Sequence, residues 1–198
     1  IRMKEVQGGG SEMLCVGFLR GINVGGKNKV SMEELKEMYA ALGASKVKTV
    51  GNTGCVIYDS SECLFEPYVE KRLHKTFNMK ISYTAIPFAY YQKALEEAPE
   101  WWGKNEEWRH NVLFLTHNYP VDKALQEIGE TDPEYERIYC KYGMIFWSSA
   151  FKDRKAYNKT QYSKLAKKEC YPYFTIRNYN MALKVLEKSK KLHKELSR

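Results

Sequence analysis

Residues 13 to 35 read Met13-Leu14-Cys15-Val16-Gly17-Phe18-Leu19-Arg20-Gly21-Ile22-Asn23-Val24-Gly25-Gly26-Lys27-Asn28-Lys29-Val30-Ser31-Met32-Glu33-Glu34-Leu35. The apolar run Met13 to Leu19 has the length of a buried strand, and Ser31 with Glu34 three residues on forms a capping box that opens a helix. Between them lies a glycine-rich, basic loop, placed where backbone amides gather and can face an anion.

Outward from this stretch the order of elements emerges. A helix is predicted from about Met32 to Leu42, with Met32, Leu35, Tyr39 and Leu42 on one face and Gly43 as its stop. Two short strands follow, Val47 to Val50 and Cys55 to Tyr58, joined by the turn Gly51-Asn52-Thr53-Gly54. A second helix is predicted from about Glu62 to Phe77, striped by Phe65, Val69, Leu73 and Phe77, with Pro67 tolerated in its first turns. Lys80 to Ile86 then reads as a strand, which makes the order β-α-β-β-α-β.

The order returns further on. Asn111 to Thr116 reads as a strand, Val121 to Ile128 as a helix, Tyr135 to Lys141 and Met144 to Ser148 as a hairpin about Tyr142-Gly143. Gln161 to Lys168 reads as a helix, Tyr173 to Ile176 as a strand, and a long helix runs from near Asn180 with Ala182, Val185, Leu186, Ser189, Leu192 and Leu196 as its stripe. Two such halves predict an α+β protein made of two ferredoxin-like (β-α-β-β-α-β) subdomains plus a long C-terminal helix, each sheet covered by helices on one face. The expected divisions are a flexible leader at 1–12, an N-terminal unit at 13–97, a connector at 98–110 and a C-terminal unit at 111–198. Trp101, Trp102 and Trp108 stand in that connector, where large rings favour packing between the halves over a loose linker.

Composition narrows the class. The 198 residues are 43% hydrophobic and 14% aromatic, enough for a packed core, and no run approaches the length of a membrane span. Five widely spread cysteines, Cys15, Cys55, Cys63, Cys140 and Cys170, form no C-x-x-C pair and suit reduced thiols in a cytoplasmic protein. The net charge of +8 is uneven: residues 151–198 hold 14 Lys and Arg against four acidic residues, so the basicity belongs to the last quarter. Such a concentration favours phosphorylated ligands or polyanions, and a lysine-rich helix also serves solubility.

Chemical motifs are sparse. Gly21-x-x-x-x-Gly26-Lys27 satisfies seven positions of a P-loop, yet the eighth is Asn28 in place of Ser or Thr, the helix cap comes late at Ser31, and a hairpin follows the helix where a P-loop fold needs a parallel sheet. A looser nest of amides around a phosphate or carboxylate survives these objections. His74, His110, His117 and His193 lack metal-ligand spacing, there is no G-x-S-x-G, and the residues call for no cofactor or metal. Lys141-Tyr142-Gly143-Met144-Ile145-Phe146-Trp147 puts its glycine at a turn, which is the wrong register for a base-stacking sheet of the RNA-recognition type.

Three segments together carry a resemblance. Arg20 to Val30 followed by Met32-x-x-Leu35, then Thr49 to Cys55, then Thr175-Ile176-Arg177-Asn178-Tyr179-Asn180 resemble the bacterial domain-of-unknown-function 1697 family across roughly residues 13–186. The resemblance implies an α+β protein with paired ferredoxin-like parts and implies no activity. The chain departs from the family pattern at Cys55, where an asparagine is usual, and at Met181, where a threonine is usual.

The expected ligand-binding set is Arg20, Gly21, Asn23, Gly25, Gly26, Lys27, Asn52, Arg177, Asn178 and Asn180, donor-rich loop residues suited to a phosphate, a carboxylate or a nucleic-acid backbone. The leading expectation is a binding module for phosphate-bearing ligands, nucleotide or nucleic acid, with no membrane partner. A small-molecule enzyme with an anion-clamping pocket between the halves, and a structural or partner-binding protein, stand beside it. Equally, Asn and Gly in loops supply turns and caps, and an Arg at a strand end often binds carbonyls.

Overall fold

The computed structural model describes residues 13–197; the expected leader at 1–12 lies outside them. The first half runs β1 (Met13–Leu19), α1 (Met32–Ala41), β2 (Ser45–Val50), β3 (Cys55–Ser60), α2 (Glu66–Phe77), β4 (Tyr83–Pro87) and α3 (Phe88–Glu96). The second runs β5 (Trp108–Leu115), α4 (Val121–Ile128), β6 (Glu136–Lys141), β7 (Met144–Ala150), α5 (Arg154–Lys159), two 3₁₀ turns (Tyr162–Lys167 and Tyr171–Tyr173), β8 (Phe174–Asn178) and α6 (Tyr179–Leu196).

The expected mixture of helix and strand is present, arranged as two four-stranded antiparallel sheets and a C-terminal helix. Their strand orders are β2-β3-β1-β4 and β6-β7-β5-β8, so each half repeats the other's order. β1 and β5 are the hubs, each hydrogen-bonded to two antiparallel neighbours. β1 and the 112–115 end of β5 read as apolar runs because both faces are covered there. Within β1, Gly17 is required by space: a Cβ there would lie 2.9 Å from the Tyr83 ring.

Three packed layers of side chains result. Leu35, Met38 and Tyr39 of α1 and Val69 and Leu73 of α2 pack on the outer face of the first sheet. Ala124 and Ile128 of α4, with Leu165 of the first 3₁₀ turn, cover the outer face of the second. The inner faces share one core that also takes in Phe88 and Tyr91 of α3 and Ala182 and Val185 of α6. Phe18 stacks on Phe114 across this core, with centroids 3.9 Å apart and planes 15° apart. Burying both inner faces in one layer fuses the halves.

Local differences from the sequence reading have physical causes. α2 starts at Glu66, because Phe65 is extended and the Leu64 amide is bonded to the Tyr58 hydroxyl at 2.9 Å. α3 was not anticipated as a separate helix; Pro87, extended at φ −54°, ψ 133°, hides its start. In place of the helix expected over 161–168 there is a 3₁₀ turn, and the short helix α5, capped by Asp153, precedes it. The buried Glu136 carboxylate fixes that break by accepting the amides of Gln161 and Tyr162 and the Trp147 Nε1–H. Charge-assisted bonds of this kind are strong enough to outweigh local helix propensity. In the connector, Trp102 packs edge-on to Phe146 and Tyr179 and donates to the Asn111 carbonyl at 2.9 Å, whereas Trp108 already belongs to β5.

Candidate functional site

The glycine-rich loop bonds chiefly to itself. Gly21, Asn23, Gly25, Gly26 and Asn28 all have positive φ. Asn23 holds the loop closed: its Nδ2 donates to Val30 O at 3.0 Å and to Asn52 O at 2.8 Å, and its Oδ1 accepts the Val30 amide. The Asn23 amide goes to Asn28 O, the Lys27 amide to Val24 O, and the Asn28 side chain to Gly21 O. Short polar side chains that tolerate the left-handed region are the residues such a turn needs. Gly25 and Gly26 lie at the exposed tip, and Lys27 is exposed beside them.

Arg20 and Arg177 act reciprocally across the two halves. From the first half, Arg20 donates through Nε to Phe174 O at 2.7 Å and through Nη2 to Tyr171 O at 3.3 Å, with its guanidinium over the Tyr171 ring. From the second half, the buried Arg177 donates through Nη2 to Leu19 O at 2.6 Å and Thr53 O at 2.9 Å, and through Nε to Cys55 Sγ at 3.1 Å. Its Nη1 serves Thr175 Oγ1 and Ile176 O. A guanidinium has five N–H groups, and these five acceptors occupy all of them. The loop and the hairpin are therefore joined through Asn23 and the hairpin and the second half through Arg177, and the side-chain donors of Asn23 and Arg177 are taken up by the protein.

Asn178 caps α6 by accepting the Met181 amide at 2.8 Å, and Asn180 follows in the exposed first turn. Both line an open cleft of about 730 Å³ on the second half. Neither Arg20, Lys27, Asn52 nor Arg177 borders it. Its floor is made by β5 and β8, where Asn111 pairs with Asn178, and its walls bring in Trp108, Tyr162 and Tyr179.

Several polar groups in the cleft are held by partners. Asn111, buried within a strand, donates through Nδ2 to the Tyr162 hydroxyl at 2.9 Å. The Tyr162 ring stands edge-on to Trp147, and burial pushes its phenol up to about 12 against the opposing pull of Arg109, so it is neutral at physiological pH. His110 donates from Nε2 to Asn105 O at 2.7 Å, and its Nδ1 is hydrogen-bonded with Ser148 Oγ at 2.7 Å. Arg109 lies 3.6 Å over the Phe151 ring and presents a cation at the cleft. The arrangement offers aromatic walls, amides that donate and accept, and two charges of opposite sign, Arg109 and Glu106.

Of the residues expected from the sequence, Asn178 and Asn180 line the cleft; Asn111, Tyr162 and Arg109, which line it too, are not in that set. A polar Asn inside the apolar run 111–115 was the available signal, since a buried amide needs partners. Among the described residues no group of three His, Cys, Asp or Glu could hold a metal ion, and no helix is long and apolar enough to cross a membrane.

Residues 13–146 match a family model described as a protein of unknown function, DUF1697. Among solved structures, the conserved bacterial protein SP0830 from Streptococcus pneumoniae is similar at 28% identity and a TM-score of 0.75, over 90% of this chain and 99% of that one. No curated protein matches.

Proposed function

The chain belongs to the DUF1697 family, and from that premise we propose that it is a binding protein that holds the base and phosphate of a nucleotide in the cleft beside Asn111, Tyr162, Asn178 and Asn180. The observation that carries this reading is the combination of aromatic walls, fixed amides and the Arg109 cation in one open cleft. Planar rings stack on any base, amides hydrogen-bond its edge, and a guanidinium matches a phosphate. The phosphate-bearing ligand expected from the sequence is thus assigned to the Asn178–Asn180 end of the predicted set. Gly21, Asn23, Gly25, Gly26 and Asn52 are read as a closed turn, and Arg20 and Arg177 as ties between the halves. The enzyme alternative rests on Arg20, Lys27 and Arg177 as anion clamps; the bonds of Arg20 and Arg177 to the protein weigh against it, and Lys27 lies exposed away from the cleft.

The repeated strand order supports reading each half as a ferredoxin-like unit. Five free thiols and the resemblance to a bacterial protein fit a bacterial cytoplasmic setting.

Calorimetric titration with nucleoside monophosphates, with ribose 5-phosphate as control, tests the reading. Wild-type protein is expected to bind the monophosphates, and Arg109→Gln and Asn180→Ala to weaken binding by about ten- to hundredfold each. No binding at millimolar ligand, or equal binding by both variants, overturns it.

A further inference from the structure

The exposed face of α6 begins at the cleft. Ala182, Val185, Ser189 and Leu192 are its buried side, and helical periodicity places Asn180, Lys184, Lys188 and Lys191 together on the opposite side. The row covers about 16 Å from Asn180 to Lys191 at the usual rise per residue. Among the described residues these three lysines have no ion pair, whereas Lys190, turned toward α3, bonds Glu96 at 2.9 Å. Glu187 shares this face, three residues after Lys184 and four before Lys191, and Glu195 closes the row. Lys188 is four residues from Lys184 and three from Lys191, spacings at which like charges are surface neighbours and repel, and the single Glu187 among them offsets only part of that charge.

We infer that the cleft takes one nucleotide of a single-stranded nucleic acid whose backbone continues along Lys184, Lys188 and Lys191 of α6. This rests on the nucleotide reading of the cleft. A base can reach the space between Trp108, Tyr162 and Tyr179 only when unpaired, which selects single strands over duplex. The phosphates that follow meet the lysine row, within the last quarter of the chain where the net positive charge is concentrated.

The test compares a nucleoside monophosphate with a fluorescein-labelled oligothymidylate of about six residues, across a salt series. The triple variant Lys184→Gln/Lys188→Gln/Lys191→Gln alters only exposed side chains, and its melting curve checks the fold. Wild type is expected to bind the oligonucleotide at least about tenfold more tightly than the monophosphate, with unlabelled duplex competing poorly. In the triple variant that gain disappears, the slope of log K against log salt flattens by about 2, and monophosphate binding is kept. If Arg109→Gln releases the monophosphate while the triple variant still binds the oligonucleotide as wild type does, the lysine row is overturned and the cleft reading stands. If Arg109→Gln leaves both ligands bound while the triple variant loses the oligonucleotide, the cleft reading fails and with it the continuous path. Equal competition by duplex overturns the preference for single strands.

Discussion

Nε of Arg177 donates to Sγ of Cys55 at 3.1 Å, joining the last strand of the second sheet to the inner hairpin of the first. Thiol sulfur is a weak acceptor, and the carbonyl of an asparagine accepts more strongly. Cys55→Asn is therefore expected to keep or raise stability where the cavity admits it, while Cys55→Val leaves Nε without a partner and costs about 1–2 kcal/mol. Urea unfolding midpoints separate the two variants.

Removing the guanidinium is the harsher change. Arg177→Met keeps an apolar stem but leaves Leu19 O and Thr53 O without their charged donors, at a cost of roughly 3 kcal/mol or more. Arg177→Lys supplies at most three N–H groups in place of five and recovers part of that loss. Stability measured by chemical denaturation should rank wild type above Lys above Met, and a Met variant as stable as wild type contradicts the tie between the halves.

Glu66 gives a pH-dependent prediction. Burial raises its pKa above the ordinary carboxylate value, partly offset by hydrogen bonds from the Thr84 side chain and the His117 amide. A carboxyl with a raised folded-state pKa favours the fold when protonated, and that contribution is lost as pH climbs through the folded value. Glu66→Gln retains an oxygen to accept the His117 amide and cannot ionise. Its melting temperature is expected to match wild type near about pH 4 and to exceed it by about pH 7. A gap that shrinks as pH rises contradicts the assignment.

Asn23 ties the glycine-rich loop to Val30 and to Asn52 while adopting φ +53°. Asn23→Ala removes both donors and the acceptor for the Val30 amide, and places a residue with poor left-handed tolerance at that φ. The expected cost is about 1–3 kcal/mol, read out as faster hydrogen exchange at Val30.

What the sequence disclosed follows from how local each cause is. β1 was legible because Met13 to Leu19 is an unbroken apolar run, and α1 because Ser31 caps it through the Glu34 amide at 3.4 Å. The break between α5 and the 3₁₀ turn was not, because the Glu136 carboxylate that fixes it comes from a different strand about 25 residues earlier. Arg20 and Arg177 were recognised as donors, but their acceptors are carbonyls more than a hundred residues away and appear only once the sheets dock. The cleft was hidden for the same reason: Asn111, Tyr162 and Asn178 meet through sheet pairing and side-chain bonds, and no spacing along the chain marks them as neighbours.

Phe18 and Phe114 provide the test of whether the halves behave as one folding unit. Their rings stack at 3.9 Å in a core that draws on both sheets, α3 and α6, so neither half can lose it alone. Phe18→Ala and Phe114→Ala each create a buried cavity and are expected to cost about 3–5 kcal/mol. In the double variant the costs should fall short of additive by about 0.5–1.5 kcal/mol, the value of a close aromatic pair. Unfolding followed by tryptophan fluorescence, which reports on Trp101 and Trp102 in the connector and Trp108 and Trp147 in the second half, should coincide with unfolding followed by hydrogen exchange in β1 and β3 of the first. Separate transitions would mean that the shared layer stabilises each half without coupling them.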